Sequence, residues 1–290
     1  MANEHIVITE CPRDAMQGLS HFIPTNVKAA YINLLIQTGF EVIDFGSFVS
    51  PKAIPQMRDT AEVLKMLDLS GSVSKLLAIV ANQRGAEQAV QYDEIIYLGY
   101  PFSISETFQQ RNTNSRIADA LETVIAAHKL CQQRNKQLVV YLSMGFGNPY
   151  GDEWNADIVM YWAKKLVDEG IGIIALSDTI GVATPAQISN LYPALVSEFK
   201  HTEFGLHLHS TPDTLGAKLM AACESGCTRF DSALRGFGGC PMAKDDLTGN
   251  VATERLISYL QSQGEALSLN MDKLADAIDY SNRIFGTSLN

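Results

Sequence analysis

Eight short runs rich in apolar and β-branched residues punctuate this chain, and longer amphipathic stretches fill the intervals between them. The runs are Ile6–Thr9, Val42–Phe45, Lys75–Val80, Glu94–Leu98, Leu138–Ser143, Ile171–Leu176, Phe204–His207 and Thr228–Ser232. Strict alternation of strand and helix predicts parallel strands joined by crossover helices. Eight such units in about 250 residues have the size of a closed (β/α)8 TIM barrel. A doubly wound open sheet is the runner-up. It is disfavoured because no Gly-x-Gly-x-x-Gly loop follows the first run, where a dinucleotide fold carries one.

Helical periodicity is expected over Asn26–Gln37, with apolar positions at Ala29, Ala30, Ile32, Leu34 and Leu35, and over Ile117–Gln132, Ala156–Glu169, Pro185–Phe199 and Asp213–Ser225. Gly39, Gly170 and Gly226 stand where helices prefer a left-handed stop. The tail Met271–Phe285 reads as one or two extra helices, a cap on the barrel bottom or an oligomer contact. No linker rich in Pro, Gly or Ser divides the chain, so residues 1–290 are expected to form one catalytic barrel domain with a helical extension over about 265–290.

Composition narrows the partners. Hydrophobic residues make up 46% and charged residues 19%, as in an ordinary globular protein, and the net charge of −10 argues against nucleic acid or an anionic membrane surface. No apolar run approaches the ~18 residues needed to span a bilayer, and the start of the chain enters a strand with no signal-peptide pattern. Cys11, Cys131, Cys223, Cys227 and Cys240 are odd in number and scattered, which suits a reducing compartment, so a cytoplasmic protein is expected. Cys223 and Cys227, four apart on an expected helix, read as packing residues.

In a barrel, function gathers at the C-terminal ends of strands. Polar residues cluster there: Arg13, Asp14 and Gln17 after the first run, Asp44, Ser47 and Ser50 at the second, Ser143 and Asn148 at the fifth, Ser177, Asp178 and Thr179 at the sixth, His207 and His209 at the seventh. Residues two apart on a strand share a face, so His207 and His209 reach one site. An isolated pair of this kind is usually a strand end facing water, and an Asp in such a loop is often only a helix cap. Two imidazoles with a carboxylate, for which Asp14 is the natural candidate, form a mixed N/O set suited to an octahedral divalent ion with open positions. That ion can act as a Lewis acid; the same set would also fit an iron oxygenase. Gly236, Gly238 and Gly239 precede Cys240 in a loop that reads either as a turn around a buried free cysteine or, given its backbone freedom, as a lid.

A family likeness emerges from five motifs spread over nearly the whole chain. Glu10-Cys-Pro-Arg13-Asp14-Ala-Met-Gln17, Ser47-Phe-Val-Ser-Pro-Lys52 with Pro55-Gln56-Met57, Ser177-Asp178-Thr-Ile-Gly181, Gly205-Leu-His207-Leu-His209, and Gly238-Gly-Cys240-Pro with Gly249-Asn250 occur in this order. The chain thereby resembles the 3-hydroxy-3-methylglutaryl-CoA lyase family, within a wider set of metal-dependent TIM-barrel enzymes that includes isopropylmalate and citramalate synthases.

The resemblance implies a Mg²⁺ or Mn²⁺ site on Asp14, His207, His209 and Asn250. It implies Arg13 as the electrophile facing the thioester oxygen, Cys240 on a closing loop, and Gln17, Asp44, Ser47 and Asp178 lining the pocket. The reaction is then a retro-Claisen cleavage of the acyl-CoA, with Asp14 or Asp44 taking the hydroxyl proton and Cys240 or a nearby acid reprotonating the enolate. A homodimer or higher homo-oligomer is expected. A condensing synthase and a non-catalytic metal-binding barrel are the rivals. Departures from the family pattern stand at Asp44, where a Glu is usual, at Gly18-Leu-Ser-His21, where Asn-Glu-Lys is common, at Ser210, and in the longer spacing between Cys240 and Asn250.

Overall fold

The computed structural model describes residues 5–239 and 248–286. Eight strands close into a barrel in the order of the chain: β1 (Val7–Glu10), β2 (Val42–Ser47), β3 (Lys75–Ile79), β4 (Ile95–Ser103), β5 (Gln137–Ser143), β6 (Ile173–Ser177), β7 (Glu203–His207) and β8 (Arg229–Ser232). Every pairing is parallel, and β8 returns to β1 in the register Val7↔Arg229 through Glu10↔Ser232. The expected TIM barrel is therefore the observed one. The largest boundary difference is β4, which continues through Gly99 and Pro101 to Ser103. These two residues usually interrupt strands. Here the full pairing with β5 from Tyr97 to Ser103 carries the strand past them.

The helices are α1 (Pro12–Gln17), α2 (Thr25–Thr38), α3 (Thr60–Leu64), α4 (Gln83–Ala89), α5 (Glu106–Thr113), α6 (Ile117–Gln133), α7 (Ala156–Asp168), α8 (Pro185–Glu198), α9 (Pro212–Glu224), α10 (Thr253–Ser262) and α11 (Met271–Phe285). Strand side chains alternate between two cores. Leu77 and Ile79 face an inner cluster with Val7, Val42, Val139 and Ile173, while Leu76, Ala78 and Val80 join the larger cluster beneath the helices. Each such fully buried aliphatic contributes roughly 1.5–3 kcal/mol relative to exposure. The barrel interior is thus filled, and only its upper rim is free to host chemistry.

Two expectations need correcting. The C-terminal extension is a single helix, within what was expected, but it does not cap the bottom of the barrel. Its buried residues Leu274, Ala277, Ser281 and Ile284 make one stripe that packs on α2, where Tyr31 stacks with Tyr280. Its far end rises to the rim, with Phe285 stacked 4.3 Å from Phe237. Cys223 and Cys227 also do not share a helix. α9 ends at Glu224, the chain turns at Gly226 (φ +77°), and Cys227 is buried beyond that turn. Among the described residues no helix is long and apolar enough to cross a membrane.

Candidate cation and substrate site

β1 runs into α1 with a single intervening residue, Cys11, and Pro12 opens the helix. Proline suits a first helical position, where its missing N–H is not needed. Arg13 and Asp14 are thereby fixed at the barrel rim, both largely buried. Arg13 engages all three of its guanidinium nitrogens and keeps one N–H of the second uncommitted. Nε donates to both oxygens of Asp44 at 3.2 and 3.0 Å, a second nitrogen binds Asp44 Oδ2, and the third donates to Asp14 Oδ1 at 2.9 Å and Gln17 Oε1 at 3.0 Å. Gln17 closes the ring by donating to Asp14 Oδ1 at 2.9 Å. Asp44 meets Arg13 where the β2–β3 register slips between Asp44 and Gly46, a bulge that re-aims the strand end.

Across the rim, β7 ends at His207 and a two-residue strand, His209–Ser210, pairs antiparallel with Gly249–Asn250. That pairing sets Asn250 opposite His209. The Asn250 amide donates to Asp14 Oδ2 at 2.8 Å and to the Phe237 carbonyl at 2.9 Å. Gly238 makes this approach feasible. It has φ +91°, and a Cβ there would lie 2.7 Å from the Asn250 amide nitrogen and 2.8 Å from the Asp14 carbonyl. One ligand atom each from Asp14, His207 and His209 all fall within 4.8 Å of one another.

Both imidazoles are oriented from behind. His209 Nδ1 lies 3.0 Å from the Thr179 carbonyl, which can only accept, so Nδ1 carries the proton and Nε2 the lone pair. His207 Nδ1 lies 3.1 Å from Asp231 Oδ2, and its ring meets Tyr141 edge-on. An outer carboxylate or carbonyl on a histidine is the usual support of a metal-ligating imidazole. Fit to a cation is also visible in what is left over. His209 Nε2 and Asn250 Oδ1 are buried acceptors without a hydrogen-bond partner among the described residues. Two lone pairs beside a carboxylate suit a hard divalent ion.

Electrostatics separate the two carboxyls. Burial alone would raise Asp14, but Arg13, His207, His209 and the Asn250 amide hold it down to about 2. It stays ionised. Burial pushes Asp44 up to about 6 despite its contact with Arg13, the neighbouring charges of Asp14 and Asp231 adding to the rise. Burial and the neighbouring His207 draw His209 down to about 4, so its imidazole is neutral and free to donate a lone pair.

The remaining expected residues divide. Ser47 is buried at the end of β2, accepts from the Val49 N–H at 3.1 Å, and opens onto a cleft of about 570 Å³ whose wall includes Arg58 and Arg84. Asp178 is not a helix cap, since α8 is capped by Thr184 and Gln187. Nor is it open to a ligand, for its side chain is 0% exposed and its oxygens accept from Lys218 and the Ala183 N–H. Cys240 lies outside the described residues. Sequence reasoning missed Asp231, hidden within a run read as a buried strand, and Lys218, indistinguishable there from a surface lysine. A charged residue in a strand buried along its whole length was the available signal for Asp231.

Comparison with known proteins adds the chemistry that geometry alone leaves open. The family model HMGL-like matches residues 5–280. A hydroxymethylglutaryl-CoA lyase of Bacillus subtilis is 34% identical over 281 residues, covering 96% of this chain and 92% of that protein. The human mitochondrial hydroxymethylglutaryl-CoA lyase is 33% identical over 268 residues, covering 92% and 81%. Among solved structures, an HMG-CoA lyase from Acinetobacter baumannii in complex with coenzyme A and 3-methylmalate superposes with a TM-score of 0.90 at 29% identity, over 99% of this chain and 93% of that one.

Proposed function

The chain belongs to the HMGL-like family, and from that premise we propose that it cleaves 3-hydroxy-3-methylglutaryl-CoA to acetyl-CoA and acetoacetate. The observation that carries this reading is the meeting of Asp14, His207 and His209 within 4.8 Å, together with the unpartnered acceptors His209 Nε2 and Asn250 Oδ1 among the described residues. Asp14, His207, His209 and Asn250 would hold Mg²⁺ or Mn²⁺. When bound, such an ion supplies Lewis acidity, lowering the pKa of a hydroxyl that it contacts.

The chain's own residues do the rest. Asp14, kept ionised, contributes negative charge to the ligand set, while Asp231 and the Thr179 carbonyl fix the protons of the two histidines on the sides facing away from it. Arg13 stands beside Asp14 with its guanidinium held flat by Asp44 and Gln17. It is suited to stabilise the thioester oxyanion that develops as the C2–C3 bond breaks, a contribution of ~3–4 kcal/mol per donor in other oxyanion sites. Asp44 is enclosed behind Arg13, its side chain 1% exposed. Its part in this reading is to aim that guanidinium rather than to take the substrate proton. The shorter Asp, where the family has Glu, fits this direct contact. Ser47 lines the cleft that bears Arg58 and Arg84 beside Glu62, and the two arginines offer the anionic CoA arm positive charge on an otherwise acidic protein.

The whole chain is read as one catalytic unit, cytoplasmic and homo-oligomeric. The free thiols of Cys11, Cys131, Cys223 and Cys227 support the compartment, and sedimentation would test the assembly. The decisive experiment is to incubate the purified protein with Mg²⁺ and 3-hydroxy-3-methylglutaryl-CoA. Acetoacetate is the expected product, and turnover of only a different acyl-CoA would move the assignment within the family.

A further inference from the structure

Behind the histidines runs a polar brace that the reaction does not touch. Lys218, in the middle of α9, is 2% exposed and turns its side chain inward. Its Nζ donates to Asp178 Oδ2 at 2.6 Å, to the His209 carbonyl at 2.7 Å and to the Gly181 carbonyl at 2.9 Å. An ammonium has three protons, so this one is fully used. Asp178 extends the brace: its Oδ1 accepts from the Ala183 N–H at 3.0 Å, and its own N–H donates to the His207 carbonyl at 2.9 Å.

Both sides of His209 therefore depend on one cation. Its backbone carbonyl is held by Lys218 directly. Its Nδ1 is held by the Thr179 carbonyl, and the loop carrying Thr179 is held by Lys218 through Asp178 and Gly181. The free Nε2 lies across the ring from that grip. A methionine would fill the same space without the desolvation cost of a buried charge. It would also take a donor away from two carbonyls and from Asp178 Oδ2, leaving that carboxylate only the Ala183 N–H on its other oxygen. We propose that Lys218 is a positioning residue for the cation site, locking the His209 peptide to the 178–183 loop so that His209 Nε2 stays aimed between Asp14 and His207. This rests on the reading of Asp14, His207 and His209 as cation ligands.

The test is Mn²⁺ binding to the full-length protein without substrate, followed by electron paramagnetic resonance, for wild type, Lys218→Met, Lys218→Gln and Lys28→Met. Lys28 is an equally buried lysine paired with Asp59 on the other side of the rim. Loss of a group that orients a metal ligand typically weakens metal affinity 10–100-fold. Lys218→Met should bind at least about tenfold more weakly, with an altered Mn²⁺ line shape. Lys218→Gln, keeping a shorter donor, should fall between, and Lys28→Met should stay within about twofold of wild type. A folded Lys218→Met with wild-type affinity overturns the proposal. If that variant does not fold, Lys218→Gln at wild-type affinity overturns it equally, as does an equal loss in Lys28→Met. Wild type that binds no Mn²⁺ breaks the underlying cation reading instead.

Discussion

Two lysines of this barrel are buried against aspartates, one on each side of the rim, and they do different work. Lys28 on α2 donates to Asp59 Oδ1 at 2.6 Å and to the Gln56 carbonyl, with the Phe22 ring 4.2 Å from its ammonium. Thr25 completes that pair by donating to Asp59 Oδ2 at 2.7 Å. Lys218 on α9 makes the same kind of pair with Asp178, but its other acceptors include the carbonyl of a histidine whose second nitrogen faces Asp14. Both pairs staple a βα loop to a helix. Only one grips the cation ligands. Identical local chemistry thus holds the loop beside Arg58 in one place and the backbone of His209 in the other, and the partner of the partner decides which.

The largest effects come from breaking the clamps. Removing one member of a buried ion pair strands the other charge, at a cost of about 3–5 kcal/mol. Lys28→Met and Lys218→Met should each lower stability by that amount in denaturant unfolding. Removing both members with apolar residues of similar size should restore most of it. Lys28→Met with Asp59→Leu is then expected to recover stability and keep Mn²⁺ affinity. Lys218→Met with Asp178→Leu should recover stability and still bind weakly. If the second double variant binds like wild type, the two clamps are equivalent and the contrast between them fails.

Next in size is Arg13, whose partners Asp14, Gln17 and Asp44 are all site residues. Arg13→Met should lower kcat by roughly 10²–10³, the cost of losing an oxyanion donor, while Mn²⁺ affinity falls far less than on loss of a ligand. A variant with unchanged kcat would remove Arg13 from the chemistry. Smaller again is Asp231→Asn, which keeps the hydrogen-bond acceptor behind His207 but loses its charge. Cation affinity should weaken about 10–100-fold by calorimetry with the fold intact. If it does not change, His207 is held by packing against Tyr141 alone.

These residues also mark how far the chain could be read without its fold. The barrel was legible because an eightfold alternation of buried runs with amphipathic helices has few other solutions, and the stops at Gly39, Gly170 and Gly226 do take positive φ. The rim residues Arg13, Asp14, Asp44, His207 and His209 were legible because a barrel delivers strand ends to one place. What pairs with what was not. Lys218 and Asp178 lie 40 residues apart, and a lysine in an amphipathic helix carries no mark of pointing inward. Asp178 was expected on the pocket wall for its motif, yet its carboxylate is sealed behind the site. The reach of Asp44 depended on a bulge in β2, a register slip that no pattern of residue types announces.

A third buried ionisable group approaches the same problem from the opposite direction, because Glu10 pairs with no cation among the described residues. At the end of β1 its Oε1 accepts from the Leu234 N–H at 2.8 Å, and Oε2 meets the Thr253 hydroxyl. Burial pushes its carboxyl up to about 8, with the charge of Glu254 adding to the rise against those two hydrogen bonds. Where the lysine clamps meet charge with charge, Glu10 is kept neutral by holding its proton. The folded state then binds a proton that the unfolded chain has already released above its ordinary value of 4.5. Stability from this group is therefore complete below that value and declines as pH rises toward about 8, above which nothing further is lost. Glu10→Gln cannot ionise and should not show the decline. Its advantage over wild type should grow between pH 5 and pH 8 by up to roughly 1.4 kcal/mol per pH unit, read as a widening gap in Tm, and then level off. Parallel Tm curves for the two proteins across that range would mean that Glu10 ionises in the fold without cost, and that a buried carboxylate here needs no cation to balance it.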